Sequence, residues 1–383
     1  MKKRLSILGS TGSIGVSALD IVAKNQDRIE LFGLSAFSNI ELLQKQVERF
    51  CPKYVTVRNK AAYEKFGRDF DSGTTQLLEY ETGLNCLVTD PDVDIVLNGI
   101  VGAAGLEASI ETVKAGKRLA LANKESMVIG GELINSLAGK YKAEIIPVDS
   151  EHSAIWQSLA SGQKKELKRI LLTGSGGPFR ELPLEKFRSI TKEQALHHPT
   201  WNMGPKITID SATMMNKGLE VIEAVRLFDI PSDKIEIVIH PESIIHSMVE
   251  YIDSSIIAQM SNPDMRLPIS YALFYPERVF SDNAKIDLTD AGRLTFYNPD
   301  FEKFPLLKLA FRVAETGGSS AAVMNAANEI AVSALLNNAV KFVQIPDIVI
   351  NSVEKYNNIE SPSLEEILEA DRWGREKAKE LVG

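Results

Sequence analysis

The sequence is short of cysteine. Cys51 and Cys86 are its two thiols, too few for a disulfide framework and at a spacing no zinc motif uses. Both are expected to be small, buried or half-buried side chains. Long hydrophobic runs are missing too. No stretch reaches the roughly 18 uninterrupted apolar residues needed to span a bilayer, so no membrane partner is expected. The start, Met1-Lys-Lys-Arg4 followed by Leu5-Ser-Ile-Leu8, imitates a secretory leader, but the apolar run stops at Gly9. That is a poor core for such a signal, and the cytoplasm is the expected compartment. Nor is there a surplus of basic residues. A net charge of −8 argues against a nucleic-acid partner, because phosphate backbones are held by basic surface. Small phosphorylated molecules need only a local positive site and stay open. Internal repeats and low-complexity tracts are also lacking.

What is present is length and pattern. A chain of 383 residues is expected to form two or three domains. Over the first 150 residues short apolar runs alternate with amphipathic segments. Strands are expected at Leu5–Leu8, Leu31–Leu34, Tyr54–Val57, Ile95–Asn98, Arg118–Ala122 and Ile145–Pro147. Helices are expected at Ile14–Lys24, Ile40–Phe50 and Gly105–Ala115. This alternation predicts an α/β unit, a parallel sheet with helices on its faces. The middle changes character. Strand candidates at Ile170–Thr173, Ile207–Ile209, Ile235–Ile239 and Ser255–Gln259 surround a helix over Met214–Phe228, which predicts an α+β domain. Residues 281–300 lack pattern and read as a linker. Beyond them Leu306–Ala314, Ala321–Leu336 and Leu364–Lys379 carry helical periodicity, with prolines 299, 305, 346 and 362 at the boundaries.

Five groups of residues carry candidate chemistry. Gly9-Ser-Thr-Gly12-Ser-Ile-Gly15 follows the first strand and opens the first helix. Such a turn offers unpaired N–H groups and a positive helix end to a pyrophosphate; the alternative is a turn that binds nothing. The second strand ends Ser35-Ala-Phe-Ser-Asn39. It carries no acid for a ribose 2′-hydroxyl, which leans away from NAD, and no base for a 2′-phosphate. Asp149 and Glu151, two apart, would lie on one side of an extended backbone. Asn216 and Glu220 share a helix face at i,i+4, with Asp210 or Ser211 as that helix's cap. Each carboxylate alone reads equally as a solvated charge or a cap. Thr173-Gly-Ser175-Gly-Gly-Pro178 offers hydroxyl and N–H donors for an anion, and Ser211, Asn216 and Lys217 add donors that suit a phosphate. Asn123, Lys124 and Glu125 sit at the carboxyl edge of a strand. The loop His197-His198-Pro-Thr-Trp201-Asn-Met203-Gly204 reads either as a lid over a ligand or as a packed surface loop.

Taken together these runs resemble the 1-deoxy-D-xylulose 5-phosphate reductoisomerase family. The resemblance is carried by GSTGSIG at 9–15, VGAAGL at 101–106, LANKES at 121–126 and PVDSEH at 147–152. It continues with LLTGSGGPFRE at 171–181, HHPTWNMG at 197–204 and DSATMMNKGLE at 210–220. HPESIIHSMV at 240–249 and NAANEIAV at 325–332 complete the series, in order along nearly the whole chain.

The resemblance implies an N-terminal Rossmann-type doubly wound parallel sheet over 1–150 that binds NADPH. It implies a central α+β catalytic and dimerisation domain over 151–280 with a lid at 197–204. After the linker it implies a C-terminal helical bundle over 301–383, in a homodimer. It implies Asp149, Glu151 and Glu220 as ligands of Mg²⁺ or Mn²⁺, with Co²⁺ a further candidate. Lys124, Ser150, Glu151, Glu220, His198 and Trp201 would face a small phosphorylated sugar. Ser175, Ser211, Asn216 and Lys217 would hold its phosphate. Thr11, Gly12, Ser13, Ile14, Asn39, Asn123, Glu125 and Gly204 would contact the cofactor. The implied reaction isomerises and reduces 1-deoxy-D-xylulose 5-phosphate to 2-C-methyl-D-erythritol 4-phosphate, in non-mevalonate isoprenoid precursor synthesis. Retro-aldol cleavage and aldol recombination rebuild the skeleton before reduction, and Lys124, Glu151 and water are the candidate proton carriers.

Two departures stand out. Phe37-Ser38 stands where some members carry Gly-Lys, so only modest discrimination for NADPH over NADH is expected. His197 stands where some have Arg. The rival readings are another dinucleotide-dependent dehydrogenase, acting on an amino-acid-derived aldehyde, and a redox-sensing binding protein without turnover. Neither accounts for PVDSEH and MNKGLE together.

Overall fold

The structure is a computed structural model that describes residues 2–70, 73–201, 203–282 and 285–383, with the side chain of residue 69 left out. Asn202 of the lid segment and residues 283 and 284 of the linker segment therefore lie outside the described residues. The strands are β1 (Lys3–Leu8), β2 (Ile29–Ala36), β3 (Tyr54–Val57), β4 (Gln76–Leu77), β5 (Ile95–Asn98), β6 (Arg118–Leu121) and β7 (Ile145–Pro147), then β8 (Leu167–Gly174), β9 (Ile235–Ile239), β10 (Ile245–Tyr251) and β11 (Ile256–Met260). The helices begin with α1 (Ser13–Lys24), α2 (Ile40–Phe50), α3 (Lys60–Asp69), α4 (Gly83–Thr89) and α5 (Leu106–Lys114). They continue with α6 (Lys124–Tyr141), α7 (Ser150–Leu159), α8 (Lys192–Ala195), α9 (Pro205–Ala212), α10 (Met215–Phe228) and α11 (Arg266–Phe274). The last are α12 (Leu288–Ala291), α13 (Pro305–Thr316), α14 (Ser320–Leu336), α15 (Gln344–Glu354) and α16 (Leu364–Val382). Among the described residues no helix is long and apolar enough to cross a membrane.

The chain divides into two compact units, neither continuous in sequence. The first holds residues 1–123, 134–153 and 264–283; the second holds 124–133, 154–263 and 284–383. In the first, seven parallel strands run in the order β4-β3-β2-β1-β5-β6-β7. Strand order reverses between β1 and β5, the switch point where such sheets open a crevice at their carboxyl ends. Leu5, Ile7 and Leu8 of β1 are fully buried, as a strand covered on both faces requires. Each contributes about 1.5–3 kcal/mol by leaving water. α11 packs on α1, and Arg266 there reaches Asp20 of α1 at 3.4 Å.

In the second unit a mixed sheet runs β11-β10-β8-β9, with β8 parallel to β9 and antiparallel to β10. α10 is buried along most of its length, and one apolar core joins it to β8, β9 and the helices α13 to α15. The segments expected as separate central and C-terminal domains thus share a core. Within 281–300 lies the short helix α12, and Tyr297 bridges to Ile239.

Several expectations need correction. Residues 207–209 are not a strand; they lie in α9. Pro205 occupies the first turn, where its missing N–H costs nothing, and Lys206 and Asp210 pair at i,i+4, 2.8 Å apart. The buried stripe of Thr208, Ile209 and Ala212 then outweighs the β-branched preference for strand. Asp210 sits inside α9, so neither it nor Ser211 caps α10. Met214 is the cap residue, in a left-handed conformation, and Thr213 Oγ1 accepts from the Met215 N–H at 3.3 Å. Asp149 and Glu151 do not share an extended strand, because α7 begins at Ser150. Cys51 is exposed at the end of α2, while Cys86 is half-buried. β4, β10, α3, α4, α6, α7, α8, α11, α12 and α15 escaped the periodicity reading.

The first turn of α1 leaves no room for a side chain at Gly15, where a Cβ would lie 2.5 Å from the Ser10 carbonyl carbon and oxygen. Backbone cannot move aside cheaply. Gly15→Ala should therefore cost at least about 1–3 kcal/mol, read as a lower urea midpoint of unfolding. An unchanged midpoint would contradict this tight passage.

Candidate active site

In the first unit the glycine-rich turn leaves Thr11 and Ile14 half-buried and Gly12 and Ser13 exposed at the start of α1. Asn39 caps α2, its Oδ1 accepting from the Leu42 N–H at 3.2 Å. Asn123 is buried and its Nδ2 donates to the carbonyls of Ile100 at 2.7 Å and Gly102 at 2.9 Å. It thereby ties the end of β6 to the loop after β5. Past β7, Asp149 precedes α7. Its Oδ1 accepts from the Ser150 N–H at 3.0 Å, and its backbone carbonyl accepts from the Ser153 N–H at 2.8 Å. Ser150 Oγ donates to Glu151 Oε2 at 2.5 Å. The first turn of α7 thus presents two carboxylates and a hydroxyl in half-buried or buried positions. An all-oxygen donor set of this kind suits a hard divalent cation rather than zinc.

The second unit centres on Glu220, whose side chain is only 1% exposed. Such a burial is tolerable only with opposite charge and hydrogen bonds at hand. Lys124 Nζ supplies one at 3.2 Å, Lys217 Nζ bonds the other oxygen, and Asn216 Nδ2 donates across the expected i,i+4 step. Lys124 also donates to Asn216 Oδ1 at 3.1 Å. The turn after β8 closes on the same place. A Cβ at Gly174 would lie 2.5 Å from Lys217 Cε, and one at Gly177, with φ +67°, would lie 2.5 Å from the Ser211 carbonyl oxygen. Ser175, Ser211, Asn216, Lys217, Glu220 and Lys124 therefore lie close together.

The 197–204 segment is anchored through His198. Its Nδ1 accepts the N–H groups of Thr200 at 3.1 Å and Trp201 at 2.9 Å. The neutral ring must then carry its proton on Nε2, which donates to Ser175 Oγ at 3.1 Å. The Trp201 ring lies 6.3 Å from that of His246. Gly204 is exposed and caps α9.

One participant escaped the motif reading. Lys206, on α9, lies 3.0 Å from Glu125 and 2.8 Å from Asp210. Asp210 also accepts from Asn328 Nδ2 of α14 at 2.8 Å. Burial alone would lower the Lys206 ammonium, but Asp210 and Glu125 outweigh it and hold it above its ordinary value. Burial likewise pushes the Glu125 carboxyl up, yet Lys206 overrides it and leaves the group below the usual range. The spacing of Lys206 and Asp210 was the available signal; taking the segment for a strand hid it.

The family model described as 1-deoxy-D-xylulose 5-phosphate reductoisomerase matches residues 5–131, its C-terminal domain matches 145–228, and a DXP reductoisomerase C-terminal domain matches 260–377. The chain belongs to the 1-deoxy-D-xylulose 5-phosphate reductoisomerase family. The reductoisomerase of Geotalea uraniireducens is 51% identical, covering 100% of this chain and 99% of that protein. That of Chlorobaculum tepidum is 48% identical, covering 100% of both. Among solved structures, the Zymomonas mobilis reductoisomerase in complex with NADPH superposes with a TM-score of 0.94 at 39% identity, covering 100% of this chain and 99% of that one. A DOX-P reductoisomerase in complex with NADPH, fosmidomycin and magnesium gives a TM-score of 0.92 at 38% identity, covering 99% and 98%. All the motif residues of 149–151 and 210–220 fall inside the second matched range.

Burial, and then the neighbouring His197, push the His198 imidazole below its ordinary 6.5. Since the folded ring binds its proton less readily than the unfolded chain does, this contribution to stability is intact above about 6.5 and is lost as pH falls through the lower folded value. An NMR titration of the ring should give a midpoint below 6.5. A midpoint at or above that value would contradict the neutral ring donating to Ser175.

Proposed function

We propose that the chain catalyses the NADPH- and divalent-metal-dependent isomerisation and reduction of 1-deoxy-D-xylulose 5-phosphate to 2-C-methyl-D-erythritol 4-phosphate, a step of non-mevalonate isoprenoid precursor synthesis. The observation that carries this is the end-to-end likeness to a reductoisomerase in complex with NADPH, at a TM-score of 0.94. The cytoplasm is the compartment that goes with it.

In this reading residues 1–150 bind the cofactor through Thr11, Gly12, Ser13, Ile14, Asn39, Asn123 and Glu125, with Gly204 joining from the lid. Residues 151–280 form the catalytic and dimerisation portion, and 301–383 a helical support. Asp149, Glu151 and Glu220 would hold Mg²⁺ or Mn²⁺, which their carboxylate oxygens suit. When bound, the cation polarises the substrate carbonyl and steadies developing oxyanion charge, and the nicotinamide supplies hydride.

The chain's own groups do the rest. Ser175, Ser211, Asn216 and Lys217 bind the phosphate, far from the reacting carbons, and that binding energy favours closure of 197–204. Trp201 then covers the substrate and keeps water out. Lys124, already 3.1 Å from Asn216 and 3.2 Å from Glu220, is placed to hold or move a proton, as is Glu151. A homodimer is supported by β11, an edge strand with Ile256 and Ile257 exposed.

The direct test follows NADPH oxidation with 1-deoxy-D-xylulose 5-phosphate, with and without Mg²⁺ or Mn²⁺. Metal-dependent formation of 2-C-methyl-D-erythritol 4-phosphate is expected; no oxidation by folded, metal-loaded protein would refute the reading. Glu220→Gln should lower kcat by about 10²-fold or more, the scale of losing electrostatic stabilisation, and unchanged metal dependence would remove Glu220 from the ligand set. Lys217→Ala should raise the KM for the sugar phosphate far more than that for NADPH; equal changes would count against a phosphate contact.

A further inference from the structure

The end of β2 carries no charge that could choose between NADPH and NADH, since Phe37, Ser38 and Asn39 follow Ala36 directly. The neighbouring strand supplies what β2 lacks. β3 lies parallel to β2 with Val57 opposite Ala36. The backbone ladder then continues past both strands. The Arg58 N–H donates to the Ala36 carbonyl at 2.9 Å, and the Asn59 N–H to the Phe37 carbonyl at 2.9 Å. These two bonds lay Arg58 alongside Phe37, at the carboxyl edge where a residue ending β2 ordinarily meets the adenosine ribose.

Arg58 is half-buried, and among the described residues no carboxylate lies within ion-pair distance of its guanidinium. Among the described residues, the other charges around this edge leave that cation uncancelled. Lys60, exposed at the start of α3, adds a second positive group. Glu41, the acid in the first turn of α2, is taken by Lys65 of α3 at 3.3 Å. Asn59 and Asn39 are both engaged in capping their helices, accepting from Ala62 and Leu42. Phe37 is 67% exposed and offers a ring face beside the cation.

We propose that Arg58 is the residue that binds the adenosine 2′-phosphate of NADPH, with Lys60 as a lesser second contact. The guanidinium fork matches a phosphate's oxygens in pairs, which a ribose hydroxyl cannot reproduce. Cofactor choice then comes from the third strand rather than the second. Discrimination for NADPH is large despite Phe37-Ser38, contrary to what β2 alone suggests. This inference rests on the reading of residues 1–150 as a dinucleotide site.

Binding, rather than turnover, tests it. The full-length apo protein is titrated with NADPH and with NADH, followed by nicotinamide fluorescence. Arg58→Ala should weaken NADPH at least about tenfold, the cost of one charge-assisted contact, and leave NADH within about twofold. Arg58→Lys should recover part of the loss. An NADPH affinity unchanged in Arg58→Ala overturns the assignment while leaving the dinucleotide site intact. Wild-type protein that binds neither nucleotide overturns the dinucleotide reading itself, and the assignment with it. A second readout needs no variant: 2′,5′-ADP should compete with NADPH at least about tenfold better than 5′-ADP. Equal competition overturns the 2′-phosphate contact even if Arg58→Ala fails to fold.

Discussion

A carboxylate in the dry interior of the second unit sets the terms for everything around it. Glu220 cannot stay ionised there without cations, and two unit charges at about 4 Å attract by about 4 kcal/mol at an effective dielectric of 20. Lys124 and Lys217 answer that need from two different helices, and Asn216 satisfies the remaining geometry. The positions of α6 and α10 are thereby coupled: loss of Lys124 would leave the buried acid with one cation in place of two. The turn after β8 inherits its place from the same pairing, because Gly174 abuts the Lys217 stem.

The parallel strands of the first unit, apart from the short and more exposed β4, were legible because they are buried on both faces and so read as plain apolar runs between turn signals. β3, β5 and β7 agree with expectation to the residue. Segments whose structure is decided by partners distant in sequence were not. Residues 207–209 carry two isoleucines and a threonine, and only the packing of Ile209 and the Lys206–Asp210 pair turn them into helix. β10 contains His246, Ser247 and Glu250 among its apolar residues, and so hides its strand character until Arg169 and Lys168 of β8 are seen to pair with Glu250. In the candidate site, the i,i+4 spacing of Asn216 and Glu220 was legible and recurs as a hydrogen bond, whereas the approach of Lys124 to them was not. Residue types and spacings did not show Lys206 or Arg58, because each acts across elements rather than within a motif.

Lys206 also gives the C-terminal helices a definite place. Asp210, its partner, is held by Asn328 of α14, and the next residue, Glu329, is bound to Arg375 of α16 at 2.6 Å. A run of ion pairs joined by the neutral Asn328 therefore reaches from Glu125 at the start of α6 to the last helix. α9 is tied to a residue more than a hundred positions downstream, so these helices do more than fill space.

The discontinuity of the two units bears on how the chain is born. A ribosome releases the N-terminal sheet first, but the helix that covers α1 comes from residues 264–283. Until some two-thirds of the chain has emerged, that apolar flank has no native cover. Domain-by-domain folding during synthesis is thus closed to this topology. The first unit must wait, half-dressed, for a piece encoded after most of the second.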